Sequence, residues 1–129
     1  MYRFTSHTGE AEVEFEAPTE AGVFAEAVHA FAELLDAGPG KAATRELHVD
    51  AADRTTLLAE WLGELVFLAE TDGFVPEHVV ELDLADRSLH AVVTGRVARP
   101  RHLVKAVTYH DLSLEERDGG WFARVVLDV

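Results

Sequence analysis

The side chains with which this chain could do chemistry are its seven histidines and its carboxylates, 24 Asp+Glu against 11 Lys+Arg. Histidines ligate metals or move protons when their spacing brings them together. Here His7, His29, His48, His78, His90, His102 and His110 are scattered, and none forms the His-Glu-x-x-His pair of a helical zinc site. Gly40-Lys41 has the glycine–lysine step of a phosphate-binding loop. Leu35 stands where that loop needs its first glycine, and Ala42 where it needs a Mg²⁺-binding hydroxyl, so the match fails. The serines are Ser6, Ser88 and Ser113, and no Gly-x-Ser-x-Gly elbow surrounds any of them. Cysteine is absent, which excludes disulfides, thiolate catalysis and finger-type zinc. No complete catalytic set can be assembled, and the expectation is a protein that is not an enzyme.

Carboxylates offer one other chemistry. Glu10, Glu12, Glu14 and Glu16 alternate with Ala11, Val13, Phe15 and Ala17, the period of a half-buried strand. Three of these acids read as the wet side of a sheet. Glu10 differs, because it follows His7-Thr8-Gly9 at the strand mouth and can point off the sheet edge. At the other end, Val125-Val126-Leu127-Asp128-Val129 reads as a strand that could hold the α-carboxylate of Val129 beside Asp128. Two or three converging carboxylates suit Ca²⁺ or Mg²⁺, which are hard cations that prefer oxygen. Spacing alone does not bring Glu10 to Asp128.

The formal net charge is -13 and the sequence pI about 4.8. Such a surface repels phosphate backbones and anionic membranes, so neither direct nucleic-acid binding nor membrane docking is expected. Basic protein partners and hard cations fit better. No stretch reaches the roughly 20 apolar residues of a membrane span, and Met1–His7 lacks the apolar run of a signal peptide. The expected location is cytoplasmic.

The elements that must position these groups follow from periodicity. Thr19 is a suitable N-cap for a helix to about Asp36, with Val23, Phe24, Ala27, Val28, Phe31, Leu34 and Leu35 as its apolar stripe. Gly38-Pro39-Gly40 stops it. A strand over Thr44 to Asp50 follows, and Asp53 then caps a second helix to about Glu70 that ends at Gly73. Strands are expected around Val80–Leu84, Leu89–Val97, Leu112–Arg117 and Trp121–Val129, the last two joined by a turn at Asp118-Gly119-Gly120. Trp61 and Trp121 fall at core positions. The order β-α-β-α-β-β-β-β predicts a single α+β domain over residues 1–129: a mostly antiparallel sheet of about six strands, with two helices on one face.

Three stretches resemble archease, a small protein family that assists GTP-dependent RNA-splicing ligases. Tyr2-Arg3-Phe4-Thr5-Ser6-His7-Thr8-Gly9-Glu10 is similar to the family's aromatic-x-x-His-Thr-Ala-Asp start. Leu57 to Leu65, through Trp61, is similar to its Leu-Leu-x-x-Trp-Leu-Asn-Glu-Leu helix. The run Val104-Lys105-Ala106-Val107-Thr108-Tyr109-His110, then Gly119-Gly120-Trp121 and Asp128-Val129, carries the resemblance furthest. It implies a divalent-cation site at one sheet edge, with Glu10, Asp128 and the terminal carboxylate of Val129 as ligands and Ca²⁺ ranked ahead of Mg²⁺. It also implies a helper that promotes guanylylation and multiple turnover of a tRNA-splicing ligase. Two residues depart from the pattern: Glu10 replaces the usual Asp, and Gly63 the usual Asn. Among the other motif residues, Thr8 is expected in a turn, Tyr109 half-buried and Lys105 in a salt bridge. The alternatives are a general chaperone-like interaction module with an acidic surface and, more weakly, a stand-alone metal-dependent hydrolase.

Overall fold

Tyr2 and Phe4 alternate with Arg3 and Thr5, and Tyr2–His7 forms β1, antiparallel to β2, Glu10–Ala17. The computed structural model describes residues 1–7 and 9–129, without the side chains of Ser6 and His7; Thr8 lies outside the described residues. Helix α1 (Glu20–Leu35) begins where the Thr19 side chain accepts a hydrogen bond from the Gly22 N–H. It ends at Asp36, whose φ of 44° turns the chain left-handed before the glycine–proline segment is reached. After β3 (Lys41–Asp50), the Asp53 carboxylate caps α2 (Arg54–Asp72) through the Thr56 N–H at 2.7 Å. Gly73 closes α2 at φ 68°, a conformation that costs glycine little because it has no Cβ. Four strands complete the chain: β4 (Phe74–Leu84), β5 (Ser88–Val97), β6 (Ala106–Arg117) and β7 (Gly120–Asp128).

The α+β class and both helices are as expected. Among the described residues the strands number seven and divide into two antiparallel sheets, ordered β1-β2-β7-β6 and β3-β5-β4. Each helix packs against strands of both sheets, α1 on β2 and β4, α2 on β6 and β3. The buried residues of α1 include Ala30 and those of α2 Ala59, so each helix buries more than the stripe of large apolar side chains alone. Val13, Phe15 and Val125 from one sheet share a core with Leu47, Leu89 and Val93 from the other. Trp61 is fully buried between them, and its indole N–H donates to the Phe24 carbonyl at 2.9 Å, joining α2 to α1. None of the described helices is long and apolar enough to cross a membrane.

The outer face of the first sheet is held by charge. Glu14 bonds Arg3 across β1 and Arg124 across β7, the latter at 3.1 Å. The Arg3 hydrogen bond, with a further contribution from Arg124, holds the Glu14 carboxyl below the usual value of 4.5. A depressed folded pKa gives stability that is present above the unfolded value and lost as pH falls through the folded one. Glu14→Gln should therefore cost about 1 kcal/mol or less at pH 7. Urea denaturation should show the difference from wild type shrinking as pH drops below 4.5.

Candidate metal centre

The geometry begins at Gly9, whose φ of 75° turns the chain into β2 just before Glu10. Strand β7 runs antiparallel to β2 and places Asp128 directly opposite Glu10. One residue further on, the Val129 N–H donates to the Gly9 carbonyl at 3.0 Å. That bond identifies 9/129 as a hydrogen-bonded pair, so the adjacent Glu10/Asp128 pair is a non-hydrogen-bonded one. Such pairs have Cα atoms about 4.5 Å apart and the closer side chains. The two carboxylates share the outer face of the sheet, and both residues are half-buried. His7 is the register partner of Glu10 on β1, and Ala106 that of Asp128 on β6. The Lys105 N–H donates to the Asp128 carbonyl at 2.7 Å.

Like charges directly opposed across two strands repel, by roughly 0.2–1 kcal/mol. The arginines on the same sheet face are engaged elsewhere, Arg124 with Glu12 and Glu14 and Arg3 with Glu14. Glu10 and Val129 also line a cleft of about 580 Å³ with Leu34, Arg101, His102, Leu103 and Lys105. Asp128 does not line it. Among the described residues no three His, Asp or Glu side chains converge. An all-oxygen set built on two opposed carboxylates fits a hard divalent cation.

Three expectations change in the structure. Lys105 makes no salt bridge among the described residues and instead faces the cleft. Tyr109 is exposed rather than half-buried, and its hydroxyl donates to Glu60 Oε1 at 2.7 Å. That bond raises the Tyr109 pKa. Trp121 is half-buried and packs against the core instead of sitting within it. Gly63 faces open space, since a Cβ built there would meet nothing within 4 Å. The expectation for Thr8 falls outside the described residues. Sequence reasoning missed Arg101, His102 and Leu103, which lie in an irregular segment before β6 with no alternation to mark it.

The sequence profile of the Archease protein family (MTH1598/TM1083) matches residues 2–129. This chain belongs to the archease family. It is similar to the protein archease of Methanosarcina acetivorans, 33% identical with 99% of this chain and 95% of that protein covered. The archease of Methanopyrus kandleri is 33% identical, with 95% of each chain covered. The solution structure of protein 1598 from Methanobacterium thermoautotrophicum superposes with a TM-score of 0.76 at 31% identity, covering 99% of this chain and 98% of that one. The fold is also that of a Thermotoga maritima crystal structure described as an archease and possible chaperone, at TM-score 0.74 and 15% identity, covering 97% and 94%. In this archease the outward carboxylate opposite Asp128 is a Glu, one methylene longer than the Asp that the family resemblance leads one to expect.

Two directly opposed carboxylates make a prediction for the metal-free protein. Asp128→Asn in excess chelator should raise stability by roughly 0.2–1 kcal/mol, read as a higher urea midpoint at unchanged slope. A lower midpoint would show that the pair does not repel.

Proposed function

We propose that this protein is a metal-binding accessory factor that promotes guanylylation and multiple turnover of a GTP-dependent RNA-splicing ligase. The observation that carries the reading is the Glu10–Asp128 cross-strand pair, with Val129 one residue beyond it, in a chain of the archease family. Glu10, Asp128 and the carboxylate of Val129 would hold the cation, Ca²⁺ in preference to Mg²⁺. Glu10 brings a longer, more adaptable arm, which suits the irregular geometry of six to eight oxygens that Ca²⁺ accepts. The ion would cancel the repulsion of the pair and tie the β2 and β7 ends together. The partner surface then begins at the adjoining cleft, where Arg101, His102 and Lys105 gather basic side chains on an otherwise acidic molecule.

A cation bound only by the folded state raises stability. Ca²⁺ should therefore raise the Tm of the wild-type protein, and Asp128→Asn should weaken the Ca²⁺ dependence of that rise by about 10-fold or more. An equal Ca²⁺ response in the two proteins would remove Asp128 from the ligand set.

The functional test is multiple-turnover RNA ligation by the cognate ligase at fixed GTP and Mg²⁺. Wild-type protein should accelerate turnover, and Asp128→Ala should leave the ligase at its unaided rate. No acceleration by either protein would favour the second reading, a chaperone-like module that holds basic clients. The excess of 24 acidic over 11 basic side chains supports that alternative. It predicts suppression of client aggregation that Glu10→Gln and Asp128→Asn leave unchanged.

A further inference from the structure

The second sheet has its own outward-facing chemistry, on the side away from the helices. His48 on β3 is the register partner of His90 on β5, and Asp83 on β4 lies opposite His90 on the other side. Both imidazoles and Asp83 therefore stand in one row across three strands. The Ala51 N–H donates to the Arg87 carbonyl at 3.0 Å, which makes 51/87 a hydrogen-bonded pair. Counting back along the ladder, 49/89 is hydrogen-bonded and 48/90 is not. His48 and His90 thus occupy the close kind of cross-strand position, with Cα atoms about 4.5 Å apart.

The carboxylates around the pair are arranged unequally. Glu46 Oε1 lies 2.9 Å from His90 Nε2, whereas Asp83 Oδ2 faces the opposite ring nitrogen, Nδ1, at 3.9 Å. His48 Nε2 lies 3.5 Å from Asp50 Oδ1. Both rings reach solvent, with side-chain exposures of 63% for His48 and 35% for His90. Glu46 is thus hydrogen-bonded to Nε2, while Asp83 stands near Nδ1 but beyond hydrogen-bond distance; a metal-ligating imidazole uses one nitrogen on the ion and the other on a carboxylate, which this row offers once Asp83 closes on Nδ1.

We propose that His48 and His90, with Glu46 as third ligand, form a binding site for a borderline divalent transition-metal ion such as Zn²⁺. Imidazole nitrogen suits Zn²⁺, Ni²⁺ and Cu²⁺ and does not suit Ca²⁺ or Mg²⁺, so this site selects a different ion from the oxygen set at Glu10 and Asp128. The donors do not converge as they stand. The exposed His48 ring must swing from Asp50 towards Glu46 and His90. Asp83 then orients His90 from behind, while solvent fills the open coordination positions. The site sits in β3-β5-β4 and shares no residue with the centre in the first sheet.

The test is calorimetric titration of the full chain with Zn²⁺ at neutral pH. Wild type should bind one tight equivalent. His48→Asn and His90→Asn should each weaken it about 100-fold, the order expected when two linked donors are reduced to one. The paired Glu10→Gln/Asp128→Asn variant should bind Zn²⁺ as wild type does. A tight equivalent that survives either histidine substitution would overturn the proposal, as would its loss in the Glu10/Asp128 variant alone. His48 is exposed and His90 half-buried, and a cooperative melt in the absence of metal confirms that each variant is folded.

Discussion

The antiparallel pairing of β2 with β7 is the constraint on which the rest of the structure depends. On its inner face Ala11, Val13 and Phe15 meet Leu127, Val125 and Ala123, all buried. On its outer face Glu14 meets Arg124 and Glu10 meets Asp128. Strand periodicity is two, so a slip of one residue would expose the whole apolar set and bury the acids. Hydrophobic burial at the centre of the ladder thereby sets which charged side chains face each other at its end. The opposition of two carboxylates is electrostatically unfavourable, and it is held there by the burial of their neighbours.

The two helices turn this local constraint into a molecule with two chemically different outer faces. Because α1 and α2 bury apolar surface against both sheets, each sheet spends its inner face on the core and leaves its outer face to water. The first sheet presents carboxylates and arginines, and at its end an oxygen-rich pair beside a basic cleft. The second presents the histidine row with flanking acids.

Much of this was legible along the chain. Thr19 and Asp53 act as caps because their short oxygens reach back to unpaired N–H groups, a purely local event. The alternation from Glu10 to Ala17 and the stripes of both helices express periodicities that need no long-range partner. The short β1 was harder to see, since Tyr2 and Phe4 offer only one full alternation and gain meaning when they pack on the core. The exposure of Tyr109 could not be read from its flanks, because its partner Glu60 belongs to α2.

By itself the sequence determined the element types, the absence of thiol and nucleophile-elbow chemistry, the acidic charge and the family motifs, because each depends on residue identity or short spacing. Only the tertiary structure decided that seven strands divide into two sheets, that Glu10 stands opposite Asp128, and that His48 stands opposite His90. Strand register is a long-range property, set by which apolar faces can be buried together, and no local spacing encodes the partner on the other strand.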